Sequence, residues 1–354
     1  MFTTCSQYTE ITLTDKERLN IAEGLSDIKY DPNGNDNYIC DVRISAYRFF
    51  PERVLKIFEK EKASCNPSPC IVINNLPIDD KISGSPSFEE TGLSYKSGTL
   101  SENTIIAVSL LLGEPYSVKF EGLELVNNIV PHKNHLDKYT GLGSKAELDL
   151  HIENSALKFI FDDDCSPSGV LLLGLRQDPN ASVNTYFSDA CLALKLLDSE
   201  TLKILKSPLF NVKLPYRWRE IMKRTMTAKV PLISGPDHSP RIHAAFYPDM
   251  VHIDDKEARA AFDKFYYALK KVSVGIDIKP GQLVYVNNRF SLHARGSFDP
   301  TYDENGLGYR WLQRTFITQD LWAMRDFRLT GRIYDPGLTM IKSIVDLEEP
   351  LTVS

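Results

Sequence analysis

No stretch of this chain is apolar for long enough to cross a bilayer. Its longest such runs, IIAVSLLLG at 105–113 and VLLLGL at 170–175, fall well short of the ~20 residues a membrane helix needs. The opening residues, MFTTCSQYTEITLTDKERLN, have neither the basic start nor the apolar core of a secretory signal. Cysteine is sparse: six in 354 residues, at positions 5, 40, 65, 70, 165 and 191, with no CxxC pair and no zinc spacing. They read as reduced thiols of a cytoplasmic protein, and no bridge is expected even between Cys65 and Cys70 around their Pro-Ser-Pro loop. Positive charge is not in excess either. Forty-one Lys and Arg against 47 Asp and Glu leave a net charge of -6, which argues against a nucleic-acid groove. With membrane and nucleic acid set aside, small molecules and further copies of the chain (a homo-oligomer) are the partners left open.

What is present is a hydrophobic share of 42%, enough to build a large core in one domain spanning 1–354. Residues 15–25 and 51–63 read as helices, the second with Pro51 in its first turn. CIVINNLP (70–77) reads as a strand, 79–98 as a surface excursion, and Ser101 as the cap of a helix that Gly113 ends. From about 115 the texture changes to short strands: VKFEGLELVNNIVP, AELDLHIE, ALKFIFD, GVLLLGL and VNTYFS. Asp198 opens a short helix, 215–224 reads as another, and 254–271 is the clearest, with Asp254 as its cap. More strands follow in KPGQLVYVNN, YRWLQRTFI and GRIYDP. Two clusters of short strands around a helical interruption predict an α+β, β-rich protein with a double-stranded β-helix (jelly-roll, cupin-like) core and flanking helices. Its parts would be a helical N-terminal region (about 1–113), the core (about 114–335) and a lid-like insertion (about 206–243).

Alternation along a strand puts residues i and i+2 on one face. In LDLHIEN, His151 and Glu153 therefore project together. An imidazole and a carboxylate side by side offer two ligands to a divalent metal, and the distant His293 in SLHARG would complete two-His-one-carboxylate coordination. An H-x-E triplet alone is a weak signal, since such pairs are common on solvated strands. His132 and His135 sit in a Lys/Asn-rich loop and read as surface residues; His238, His243 and His252 have no evident partner.

The order of features around these motifs is more specific than any one of them. LGSKAELDLHIE (142–153), NTYFSDACLALKLLD (184–198), PGQLVYVNNRFSLHARGSFDPTYD and RWLQR (310–314) together resemble the clavaminate synthase-like Fe(II)/2-oxoglutarate-dependent oxygenases, over roughly residues 70–330. The likeness is to the branch hydroxylating free lysine or arginine. The resemblance implies Fe(II) held by His151, Glu153 and His293, with 2-oxoglutarate and O2 as cosubstrates. It implies that Arg310 pairs with the distal carboxylate of 2-oxoglutarate, assisted by Thr185, and that Arg314 meets the substrate carboxylate. A guanidinium suits such pairing because it is planar, bidentate and always charged. One departure is the ENGLGY link between Tyr302-Asp303 and Arg310, which is longer than the family's. Related halogenases replace the acidic ligand, so Glu153 points to hydroxylation, with succinate and CO2 released.

Substrate choice falls to AAFYPDMVHIDDKEA (244–258), where Asp249 and Tyr247 occupy the family's two guanidinium-binding positions. One carboxylate plus one tyrosine suits a compact ammonium better than a guanidinium, which predicts free L-lysine (3- or 4-hydroxylation), with L-arginine the alternative. Asp249 also reads as a plain turn residue after Pro248. From other classes, a non-redox jelly-roll binding protein and a zinc hydrolase would use the same three ligands.

Overall fold

In GVLLLGL, every position of a strand is apolar, and such a strand must be covered on both faces. The computed structural model, which describes residues 8–87, 90–119, 121–135 and 143–336, shows how. Gly169–Arg176 runs through the middle of a nine-stranded sheet, between Leu283–Asn287 and Trp311–Thr318. Beyond these lie Cys70–Asn74 and Thr9–Thr12 on one side, and Glu114–Val118, Ile333–Asp335 and Arg328–Thr330 on the other. The short strand Asn127–Ile129 also pairs with Trp311–Thr318. Alternate residues of the central strand feed two separate cores. Leu171 and Leu173 pack with Leu283, Tyr285 and Ile317 under the N-terminal helices Asp15–Ser26, Asp36–Phe49, Glu52–Ala63 and Leu100–Leu112. Val170 and Leu172 belong to the second core, with Leu312, Phe316, Leu150 and Leu292.

The second sheet has four strands in the order Val274–Asp277, Asn184–Asp189, Ser291–Arg295, Leu148–His151, all antiparallel. The amphipathic helix Lys256–Lys271 turns Ala258, Phe262, Phe265 and Leu269 into the same core. Two sheets closing on a shared interior make the expected jelly-roll sandwich. No helix among the described residues is long and apolar enough to cross a membrane, and the five described cysteines are free.

Several local expectations shift. The helix Asp36–Phe49, capped by Asn35 onto the Tyr38 amide, was not expected from the sequence. ALKFIFD, expected to be a strand, instead turns through a 3-10 helix at Ser155–Phe159, because Asn154 adopts a left-handed φ of 51° just before it. Asp255 and not Asp254 caps the Lys256 helix, accepting from the Ala258 amide at 2.8 Å. Asp254 is taken by Lys229 and His252. Ser101 lies inside the Leu100–Leu112 helix, whose first amides are capped from a distance by Asp79.

That remote cap belongs to a buried ionic cluster. Lys96 Nζ lies 3.1 Å from Asp79 and 2.5 Å from Glu102, and Glu102 also accepts from Gln313 on the central sheet at 2.8 Å. The cluster ties the all-buried helix to the strand that carries Arg314, and removing one member would strand a charge at a cost of about 3–5 kcal/mol. Nearby, Glu124 accepts from the Tyr30 hydroxyl at 3.4 Å, while its Oε1 is buried without a partner. Burial, reinforced by Glu102, pushes its carboxyl up to about 7. Below the ordinary carboxylate range Glu124 is protonated in both folded and unfolded chains, and its contribution is intact. As pH rises through about 7 the folded state must ionise it in place, and stability is lost. Glu124→Gln cannot ionise, so thermal unfolding between pH 5 and pH 8 should show a loss in the native chain that the variant lacks, up to roughly 3 kcal/mol. Parallel stability curves would rule the assignment out.

Candidate metal centre and cosubstrate pocket

The pairing of Ser291–Arg295 with the edge strand Leu148–His151 decides the site. His293 and His151 sit directly opposite each other on the antiparallel ladder, and their rings come to 4.2 Å between centroids. Glu153 lies past the end of its strand, which stops at His151. It therefore reaches the same face by a turn and not by strand alternation. That turn is held by Asn288, whose side chain accepts from the Glu153 amide at 2.8 Å and donates to its carbonyl at 3.1 Å. A second donation from the Asn288 amide reaches the Pro167 carbonyl at 2.9 Å. Asn288 is 1% exposed and fixes the carboxylate's backbone like a short piece of ladder. Sequence reasoning missed it, although the doubled asparagine after a buried strand was its signal.

One ligand-type atom from each of His151, Glu153 and His293 lies within 4.8 Å of the others. His151 Nδ1 is 2.8 Å from the Asp149 carbonyl. A carbonyl only accepts, so Nδ1 carries the proton and Nε2 keeps its lone pair for a metal. Burial, then the neighbouring His151 and Arg314, holds His293 well below the usual imidazole range, so it is neutral and able to ligate. Two imidazoles and a carboxylate, all nearly buried, form a donor set suited to a divalent iron with open positions.

The remaining expected residues divide. Thr185, Tyr247, Arg310 and Arg314 line the same cavity as the three ligands, together with Glu121, Asn127, Tyr216 and Arg295. Arg310 is 4% exposed and approaches Thr185 Oγ1 at 3.5 Å. Burial, more than the neighbouring Arg295, pushes its guanidinium down to about 10, still charged at neutral pH. Arg314 extends between Glu153 Oε1 at 3.3 Å and Glu121 Oε2 at 3.0 Å. Tyr247 stands edge-on to His151, 5.6 Å between centroids. Asp249 is not brought to the cavity. It occupies a left-handed turn with φ 64°, and its exposed carboxylate is taken by Lys213 and by Arg219 at 2.9 Å. Two basic residues of the 206–243 segment draw it outward, and the Tyr216 hydroxyl donates to the adjacent Pro248 carbonyl at 2.9 Å.

Because Asn288 orients Glu153 without touching the metal position, Asn288→Ala should lower Fe(II) affinity by roughly 10- to 100-fold. Anaerobic Fe(II) titration of the variant, with circular dichroism to confirm its fold, tests this; unchanged affinity would show that Glu153 needs no such support.

Comparison with known proteins agrees with the geometry. The chain is 25% identical over 292 residues to an L-asparagine oxygenase of Streptomyces coelicolor, covering 80% of this chain and 81% of that protein. It is 27% identical over 214 residues to an L-lysine 3-hydroxylase of Catenulispora acidiphila, covering 58% and 55% respectively. Among solved structures, the non-heme iron oxygenase OrfP in complex with Fe and alpha-ketoglutaric acid superposes with a TM-score of 0.76 at 25% identity, over 92% of this chain and 99% of that one. The family described as "Taurine catabolism dioxygenase TauD, TfdA family" matches residues 97–316, and this chain belongs to it.

Proposed function

We propose that this protein is an Fe(II)/2-oxoglutarate-dependent hydroxylase of a free L-amino acid. The observation that carries the substrate class is the pair formed by Arg314 and Glu121, 3.0 Å apart on the cavity wall. A guanidinium beside a carboxylate is complementary to the zwitterionic head of a free amino acid, with the substrate carboxylate on Arg314 and its ammonium on Glu121. A peptide-bound residue offers neither charge.

His151, Glu153 and His293 would hold the iron, which supplies the oxidative step that couples decarboxylation of 2-oxoglutarate to hydroxylation of a C–H bond. Arg310, with Thr185, would fix the distal carboxylate of 2-oxoglutarate. Arg314 lies only 3.3 Å from Glu153, so it anchors the substrate head close to the metal position. Carbons near that head, C3 or C4, then face the iron, and distant ones do not. Tyr247, Tyr216 and Pro215 form the outer wall, where apolar surface lies along the substrate side chain and keeps water from the reacting carbon. The 206–243 segment, held to the 247–250 loop through Asp249, would act as the cover over this wall.

L-Lysine remains the first substrate to test, because a tyrosine-lined wall suits a methylene stem and one relative is named an L-lysine 3-hydroxylase. Asp249 no longer supports it. L-Asparagine, named for another relative, is the second arm, and L-arginine the third. Turnover of these three with iron, 2-oxoglutarate and oxygen should give one product heavier by one oxygen and an equal yield of succinate. Arg310→Ala should abolish both, together with the visible band that anaerobic Fe(II) and 2-oxoglutarate develop in the native enzyme. Absence of an oxygenated product from all three, and from the other common amino acids, would defeat the reading.

A further inference from the structure

Arg295 is a cavity residue that neither the metal set nor the substrate pair uses. It lies two positions after His293 on the same strand, so both point into the sandwich. It is 7% exposed. Among the described residues only Nη2 has a hydrogen-bond partner, the Ala146 carbonyl at 2.9 Å, while Nε and Nη1 are buried with none. Across the ladder it faces Thr185, the residue whose hydroxyl Arg310 approaches from the opposite sheet. Both guanidinium carbons lie beside a single aromatic ring, that of Phe298, at 5.8 Å and 6.0 Å from its centre.

Two buried guanidiniums around one threonine are a costly arrangement. Neither forms an ion pair among the described residues. The two carboxylates that Arg310 feels, Asp178 and Asp277, are committed elsewhere. Asp178 accepts from the Asn180, Ala181 and Thr301 amides, and Asp277 from Gln177 and Ser182. Like charges beside one ring in a low dielectric, with unpartnered donors in the lining of a cavity, define an anion site stronger than one arginine would make.

We propose that the distal carboxylate of the cosubstrate is bound by two guanidiniums, Arg310 and Arg295, converging on Thr185, and that Arg295 makes the site select dicarboxylic over monocarboxylic 2-oxo acids. This rests on 2-oxoglutarate being the cosubstrate. Arg295 acts as a second binding residue for the cosubstrate: it adds charge and orphan donors to the carboxylate that Arg310 holds. A neutral replacement removes one charge-assisted contact from the distal carboxylate and leaves the keto-acid end of the molecule untouched.

The test uses the full chain with Fe(II) under anaerobic conditions and calorimetric titration of two probes, 2-oxoglutarate and 2-oxopentanoate, which differ in the distal carboxylate. Arg295→Gln should weaken 2-oxoglutarate by roughly 10- to 100-fold and 2-oxopentanoate by less than about threefold. Arg295→Lys, which keeps the charge, should restore most of the preference, and thermal unfolding checks that each variant is folded. Should the Gln variant fail to fold, the Lys variant still decides: a preference for the dicarboxylate lowered but retained supports the clamp, and a preference equal to the native one overturns it. In a folded Gln variant, equal losses for both probes, or none for either, overturn it as well. Failure of the native protein to bind 2-oxoglutarate would instead remove the cosubstrate reading on which the clamp is built.

Discussion

Everything at this site depends on one cross-strand register, the pairing of His151 with His293. Because side chains alternate with a period of two, a slip of one residue would send one imidazole to the outer face and leave Arg295 facing the wrong core. The ladder shifts between His293 and Arg295, and the helix Lys256–Lys271 shares the apolar core behind these strands. The register is thus set by burial on both sides, and the ligands need only project from it. Glu153 is the exception. It lies beyond regular pairing and is placed by Asn288, a side chain that imitates the backbone of a missing strand.

The opposite sheet supplies charge of the other sign. Arg310 and Arg314 come from one edge of the long strand through Trp311–Thr318, four residues apart and both lining the cavity. They differ in their partners. Arg314 is paired with Glu121 and Glu153, an arrangement complementary to the zwitterionic head of the proposed substrate. Arg310 shares its surroundings with a second arginine, which leaves an excess of positive charge. In the proposed function the two arginines on this wall would address two different acids, and the discrimination would lie in the carboxylates around them.

Asp249 shows how a resemblance can mislead at a single position. Its place in the chain matches a substrate-binding acid, but a left-handed turn after Pro248 directs it outward, where Lys213 and Arg219 take up its charge. It joins the 206–243 segment to the loop carrying Tyr247, and Tyr247 alone of that pair reaches the cavity. Glu121, in the irregular stretch after Glu114–Val118, lies against Arg314 instead. Nothing in FEGLEL marks one of its two glutamates as a pocket residue. Glu121 meets Arg314 while Glu124, three positions later, is buried against Tyr30.

Much of the fold was legible in the residues themselves. Continuous apolar runs required a sheet covered on both faces, the 3.6-residue pattern at 254–271 required an amphipathic helix, and H-x-E, SLHARG and RWLQR marked three ligand-type side chains that the fold gathers and an arginine of the same cavity. These signals are local, or depend only on residue type and order. What tertiary structure decided was everything that depends on long-range partners: that Asp79 and not Ser101 caps the Leu100–Leu112 helix, that Asn288 holds Glu153, that Asp249 faces away, and that Arg310 approaches Thr185, the ladder partner of Arg295. Each of those facts joins residues 22 to 135 positions apart, and a charge or amide shows its role only once the fold has fixed which group stands opposite it.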